Sequence, residues 1–412
     1  MPSSSKRVLF ISNGHGEDNH SSYVIETLLE LCPTLDVAAM PIVGEGNAYR
    51  RLNVPIIGPT QNMPSGGFSY INRFRLLTDL KAGLVGLTWE QLKAVWQYAP
   101  TCDLIMATGD TISQGFAYST GYRYVSFISC LSALYEGNLY IGPFIGQFLR
   151  SPKCLAVITR DPYTAQDLKQ QGFSKAKFGG IPSLDKLNPT GIDLQLNPNH
   201  PMIALLPGSR LPEAIRNFTL QLKLVLEIVK VMGVENIQFR AALVPKIMTE
   251  LPEIATSEGW EYTEGKLTYK TDQGTAEVLF YADAFSDILH NCTLMLGMAG
   301  LAVDQGIALG KPVIQVPGEG PQFTYQFAEA QTRLIGSCAQ TIGTGAATAQ
   351  TLREAAQCVA KTVADKDYLA ACVEQGKNRF GPPGASIRIA NLLLNYLGVN
   401  HEDLAVSSDR LI

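Results

Sequence analysis

The chain has no CxxC pair and no framework spacing among its eight cysteines, at positions 32, 102, 130, 154, 292, 338, 358 and 372. They read as buried thiols of a reducing compartment rather than as a disulfide scaffold or a zinc site. No apolar stretch reaches the uninterrupted length of a spanning helix, and the apolar run in the opening MPSSSKRVLFIS is too short for a signal peptide. Any membrane contact is therefore expected to be peripheral, from the cytoplasmic side. Cations do not predominate: a net charge of −4 supplies no global field for a phosphate backbone, which argues against a nucleic-acid partner. Neither GxGxxG nor the Walker sequence occurs, which weakens the two commonest nucleotide readings. HExxH is missing too, and no His, Cys or carboxylate cluster has ligand spacing, so neither a metal nor another cofactor is expected.

What is present fits an ordinary globular protein with more than one core. The 412 residues are 46% hydrophobic and 17% charged. Short apolar runs recur with amphipathic segments between them: VLFIS from Val8, DVAAMPI from Asp36, DLIMAT from Asp103, YVSFIS from Tyr124 and CLAVIT from Cys154. Strands alternating with helices predict a parallel, doubly wound α/β sheet. From Gly179 to Pro201 the composition turns rich in Pro, Asn and Asp, as linkers are. A second series then begins with MIALLP from Met202, a helical span from about Glu213 to Met232, IQFRAALV from Ile237, TLMLGM from Thr293 and KPVIQVP from Lys311. The expected architecture is two facing Rossmann-like domains, 1–185 and 186–380, with a ligand cleft between the carboxyl ends of their sheets. A C-terminal helix from near Ala385 and a tail, 381–412, are expected to return toward the first domain. Residues 260–283 read as a hairpin insertion or a strand with a long turn, without a role.

Chemistry concentrates where strands end. The first strand runs into SNGHGEDNHSS, where Gly14 and Gly16 bracket His15 and a helix is expected from near Asn19; such a turn presents backbone N–H groups to a ligand. Glu17, Asp18 and His20 crowd the same tip, although a tight turn with a surface histidine explains the pattern as well. In the second half, MIALLP leads into GSRLPE, with Gly208 and Ser209 at an expected helix start and Arg210 beside it, a sound diphosphate site or else a plain strand-to-helix turn. Further on, TLMLGMAGLAVDQGIALGKPVIQVP gives a small-residue turn at Ala299 and Gly300, then a helix with Asp304 and Gln305 in its early turns. Small residues let a phosphate or ribose approach, and a carboxylate there can accept from ribose hydroxyls or simply stabilise the helix dipole. The next loop offers Gln322, Thr324, Tyr325 and Gln326 at another helix start, as donor contacts or as caps.

The segments LLPGSRLPE (Leu205 to Glu213), GGIPSLD (Gly179 to Asp185) and GMAGLAVDQGIALGKPVI (Gly297 to Ile314) resemble, in order and spacing, the lipid A disaccharide synthase family. More closely, MAGLAVDQGIALGKPVIQVPGEGPQFTYQFAEAQTRLIG from Met298 resembles the lipid-A-disaccharide-synthase-related proteins of cyanobacteria. The resemblance covers most of the chain and is strongest in the second half. It implies a GT-B glycosyltransferase fold, a UDP-sugar donor held by the C-terminal domain, a lipid or lipid-linked acceptor held by the N-terminal domain, and hexosyl transfer without a metal. The donor contacts would be Gly208, Ser209, Arg210, Ala299, Gly300, Asp304, Gln305, Gln322, Thr324, Tyr325 and Gln326; Gly14, Gly16, Glu17 and Asp18 would border the acceptor. The family carries a Ser-Gly-Thr cluster followed by Glu where this chain has Ala299, Gly300 and Leu301 followed by Asp304 and Gln305. Its opening turn also differs from SNGHGED, so donor class carries over better than acceptor identity.

Transfer needs a base for the acceptor hydroxyl and positive dipoles for the leaving diphosphate, the latter from Arg210 and the helix expected near Ser209. Asp110, in LIMATGDTIS, resembles the aspartate near that strand end in the lipid A enzymes; His15 competes, since an imidazole has a suitable pKa at neutral pH. Asp110 also reads as a helix cap after a glycine turn. Residues 65–98 mix Phe68, Tyr70, Phe74, Trp89 and Trp96 with Arg73, Arg75, Lys81 and Lys93, as an amphipathic surface on an anionic inner or thylakoid membrane would, or as a packed segment with a basic outer face would. Two other readings stay open: a UDP-sugar 2-epimerase, which acts on the donor alone, and a noncatalytic nucleotide-sugar-binding protein.

Overall fold

In a computed structural model, which describes residues 5–61, 83–297, 300–319 and 324–399, the apolar runs become the strands of two sheets. The chain divides into two compact units, one made of Met1–Lys186 with Phe380–Ile412, the other of Leu187–Arg379.

In the first unit the strands β1 (Arg7–Ser12), β2 (Asp36–Pro41), β3 (Leu104–Thr108), β4 (Tyr124–Phe127), β5 (Cys154–Thr159) and β6 (Ala176–Phe178) pair in parallel in the order β2-β1-β3-β4-β5-β6. They read as unbroken apolar runs because both faces are covered. Val8 and Phe10 pack toward α1 (His15–Leu31) and the C-terminal helix Ala385–Leu397. Leu9 and Ile11, on the opposite face, pack toward α2 (Leu84–Tyr98), α3 (Thr111–Ser119) and α4 (Pro143–Arg150). Each fully buried Leu, Ile or Phe contributes roughly 1.5–3 kcal/mol, so this alternation fixes which way every strand faces.

The second unit carries β7 (Met202–Leu206), β8 (Gln238–Ala242), β9 (Glu261–Thr263), β10 (Lys266–Thr271), β11 (Gly274–Tyr281), β12 (Leu294–Gly297), β13 (Val313–Gln315) and β14 (Ala339–Thr341), in the order β14-β13-β12-β7-β8-β11-β10-β9. The stretch 260–283 is an antiparallel ribbon, β9-β10-β11, whose last strand also pairs in parallel with β8 and so extends the main sheet.

Helix α5 (Glu213–Met232) buries Ala214, Phe218, Leu222, Val225 and Val229 along one stripe and stops at Gly233, where φ is +83°. It begins at Glu213, where the helical span was expected to start, and not at the GSRLPE turn, where Gly208 and Ser209 were expected to open a helix. Pro212 has no N–H to donate and disfavours the helical region for Leu211, so the regular helix can form only after it.

Chain order reverses beside the first strand of each sheet. β1 lies between β2 and β3, and β7 lies between β8 and β12. The loops leaving β1 and β3, and those leaving β7 and β12, therefore part in opposite directions and open a crevice at the carboxyl ends of the strands, where such sheets bind ligands.

Candidate functional site

At the first crossover, Gly14 is the extended N-cap of α1 and the Asp18 N–H makes the first intrahelical bond, to the Gly14 carbonyl at 2.8 Å. The helix thus starts at His15 rather than near Asn19, because Gly16 costs only about 1 kcal/mol inside a helix and nothing else interrupts it. The N–H groups of His15, Gly16 and Glu17 have no intrahelical acceptor, and the positive end of the helix dipole sits there. Of two glycines nearby, Gly44 is required by its left-handed backbone, whereas Gly14 is extended and a side chain there would have only to displace the end of Glu17. A Cβ on Gly14 would collide with the Glu17 carboxylate, and one on Gly44, at φ +84°, would collide with the exposed His15 imidazole.

Asp110 closes the crevice from β3. It is the N-cap of α3, its Oδ1 accepting from the Ile112 N–H at 2.8 Å, and its own N–H donates to Asn13 Oδ1 at 3.1 Å. Gly109, at φ +129°, lets the loops after β1 and β3 meet, since a Cβ there would occupy the place of Asn13 Oδ1. Burial raises the Asp110 pKa above the ordinary carboxylate value, against hydrogen bonds from Ile112 and Asn13 that lower it. Asp110 is therefore both a helix cap and a half-buried carboxylate of enhanced basicity.

Asp18 is placed differently from the expected acceptor contact. It is buried beneath the turn, accepting from Ser12 Oγ at 2.5 Å, and Ser12 in turn bonds the Tyr49 hydroxyl at 2.5 Å. Burial lifts its pKa to about 7. The helical period explains the position, because Asp18 shares the inward stripe of Ser21, Ser22 and Ile25. His20, also buried, has an Nδ1 without a hydrogen-bond partner; burial, and then the charge of Arg160, push its pKa down to about 3, so it is neutral. Cys130, following β4, has its thiol pushed far up by burial and then by the neighbouring charges of Glu17 and Asp110, while Arg160, following β5, acts in the opposite sense. Asn13, Cys130 and Arg160 thus join this corner, with Ser12 and Tyr49 buried beneath it, without having been singled out in the sequence as site residues. Their signal was position: Asn13 and Arg160 are each the first residue after a strand.

At the second crossover, α5 is tied to both strands: Asn217 Nδ2 donates to the Pro207 carbonyl at 3.0 Å and Gln221 Nε2 to the Leu296 carbonyl at 2.9 Å. Gly208 turns the chain at φ +101°, leaving Ser209 and Arg210 exposed. α6 (Gly300–Ala308) leaves β12 so closely that a Cβ on Gly306 would strike Met295. Asp304 lies in the second turn of α6 and is 6% exposed, with Gln305 half-buried beside it. α7 (Tyr325–Ile335) is anchored to the start of α6 through Gln331, which donates to the Gly300 carbonyl at 3.0 Å and accepts from Gln315 at 2.8 Å. Thr324 caps α7 by accepting from the Phe327 N–H, with Tyr325 half-buried and Gln326 exposed. Ala299 and Gln322 lie outside the described residues. The pairing of Leu206 with Gly297 starts the segments that carry Gly208, Ser209 and Arg210, and Gly300, Asp304 and Gln305, from neighbouring strand ends.

No protein-family model matches the chain, and no curated protein sequence does. Solved structures match over nearly its whole length. Acinetobacter baumannii MurG is 13% identical, with 95% of this chain and 99% of that one covered and a TM-score of 0.58. The glycotransferase of kitacinnamycin is 14% identical, covering 95% and 99%, with a TM-score of 0.57. The UDP-GlcNAc 2-epimerase of Neisseria meningitidis, solved bound to UDP-GlcNAc, is 14% identical, covering 94% and 100%, with a TM-score of 0.54.

The fold is GT-B. Within this GT-B chain each unit is a Rossmann-like sheet with its crevice beside the first strand. Among the described residues, no helix is long and apolar enough to cross a membrane.

Proposed function

We propose that this GT-B chain transfers a sugar from a UDP-sugar, bound by the second unit beside β7 and β12, to an acceptor hydroxyl bound by the first unit beside β1 and β3. Asp110 carries the reading. A half-buried carboxylate with raised proton affinity, held at a crossover by Asn13 and Ile112, has the placement and basicity that deprotonating a hydroxyl requires. His15, exposed at the same rim, is the competing base. The donor would be held through the backbone at Gly208, Ser209 and Gly300, with Arg210 stabilising the charge that develops on the departing UDP. Asp304, Gln305, Thr324, Tyr325 and Gln326 complete the donor side of the proposal, and Gly14, Gly16 and Glu17 the acceptor side, with Asp18 supporting them from beneath.

The finer reading is hexosyl transfer to a lipid or lipid-linked acceptor, in the manner of lipid A disaccharide synthase, by a cytoplasmic protein that contacts an anionic membrane through 65–98. The solved epimerase bound to UDP-GlcNAc supports a second reading, 2-epimerisation of the donor. Incubation with radiolabelled UDP-N-acetylglucosamine, with and without a lipid extract, separates them. Transfer predicts label in the lipid phase only when lipid is added; a new UDP-sugar isomer formed from donor alone would establish the epimerase and remove the transferase.

A further inference from the structure

Two of the eight cysteines meet inside the second unit, away from the residues that sugar transfer uses. Cys338 ends the short turn Gly336–Cys338 between α7 and β14, and Cys372 lies in α8 (Lys366–Phe380). Each is 1% exposed. The Cys338 Sγ stands 3.8 Å from the Cys372 carbonyl oxygen, and the two thiols are in hydrogen-bonding contact across 34 positions of chain. Gln375, one turn further along α8, fixes the approach: its Oε1 accepts from the Cys338 N–H at 3.0 Å and from the Cys338 thiol as well. The contact divides the pair. It holds the Cys372 thiol below the ordinary value, against burial and with help from the Tyr368 hydroxyl, while the same contact and burial raise Cys338. One sulfur thus yields a thiolate and the other keeps the proton it donates, as in a nucleophilic thiol with its resolving partner.

The placement of α8 gives a bond between these sulfurs a consequence. Only Cys372, Gly376 and Phe380 are buried along it, so the helix rests on the unit by a narrow stripe, and local opening of so thin a contact admits a small oxidant. Gly376 lies against the end of α6, where a Cβ would come within 2.2 Å of the Ile307 carbonyl oxygen. Arg379 Nη1 donates to the Arg333 carbonyl of α7 at 3.2 Å. α8 therefore touches the ends of both α6 and α7, and a covalent link from Cys372 to Cys338 would fasten it there.

We propose that Cys338 and Cys372 are a reversible redox pair, which a peroxide oxidises to an intramolecular disulfide that staples α8 to the turn after α7. The Cys372 thiolate attacks one peroxide oxygen, forming a sulfenic acid and releasing hydroxide, which takes up a proton to become water. The Cys338 sulfur then attacks the sulfenic sulfur; the S–S bond forms, and the hydroxyl leaves with the Cys338 proton as a second water. Two thiols lose two electrons and the peroxide gains them. A dithiol reductant reverses the change, as suits a disulfide formed transiently in a reducing compartment. The test treats the purified full chain with hydrogen peroxide, removes the excess with catalase, and then counts thiols in denaturant and maps non-reduced peptides by mass spectrometry. The expected result is that the chain loses two of its eight thiols, that the peptides holding Cys338 and Cys372 are joined, and that the melting temperature rises by about 5 °C or more until dithiothreitol is added. Cys358→Ser should behave as the parent does, and Cys372→Ser should form no bond. Cys358 is the near competitor, since its thiol donates to the Gln340 side chain that also bonds the Tyr368 hydroxyl. An unchanged thiol count, a bond drawn to Cys358, or oxidation that stops at sulfinic acid without joining peptides overturns the proposal.

Discussion

Replacing Asp110 with Asn is expected to lower turnover by about 10²–10⁴-fold, the usual contribution of a general base, while leaving UDP binding intact. The substitution is close to isosteric. An Asn side-chain oxygen still accepts from the Ile112 N–H, so the cap on α3 and the fold are retained, and only the proton-accepting carboxylate is lost. The effect should fall on kcat, because the substituted group acts on the acceptor proton and lies in the first unit, whereas the proposed donor contacts lie in the second. Because burial raises the Asp110 pKa, the acid limb of the parent's pH–rate profile should also lie above the range of an exposed aspartate. Steady-state kinetics of the two proteins, with UDP affinity measured alongside, check this. Unchanged turnover would pass the role of base to His15.

Asp18 predicts an unusual dependence of stability on pH. Its pKa rises from 3.8 to about 7 on folding, through burial beside Ser12 and Tyr49 and with the carboxylate of Glu17 near. The folded state therefore holds a proton that the unfolded state has released through the window from about pH 4 to 7. Across that window this residue's contribution falls as pH rises, by on the order of 4 kcal/mol, and it is flat above. In Asp18→Asn the penalty cannot arise, while the amide oxygen still accepts from Ser12. Thermal or urea unfolding of both proteins at pH 5 and pH 8 should show the variant gaining on the parent as pH rises. A stability difference that is the same at both values would mean that Asp18 ionises in the folded protein as freely as in the unfolded chain.

The doubly wound architecture was legible because strands buried on both faces leave unbroken apolar runs such as VLFIS and CLAVIT, and because the helical stripe of α5 is long and regular. The start of α1 was not, because two glycines around His15 look like a turn until Gly14 is seen as the extended cap and Gly16 as an ordinary helical residue. Asp18 misleads for a related reason. An acid in a first turn is usually solvated, and only the inward stripe of α1, together with Ser12 and the distant Tyr49, shows that this one is enclosed. The crevice itself is long-range information: Asn13 and Asp110 bond across 97 positions, and Arg160 reaches the same corner from β5. Period and propensity describe single elements, so they cannot report which strand ends the topology sets side by side.

The most direct test of the account is the melting temperature of the purified protein against a panel of nucleotides and nucleotide sugars, since a ligand that binds only the folded state stabilises it by mass action, by about 2.7 kcal/mol at a hundredfold excess over Kd. Selective stabilisation by UDP and a UDP-sugar, with no response to adenine or guanine nucleotides, is the predicted result. A melting temperature that moves with none of them would contradict the proposed donor site and with it the transferase.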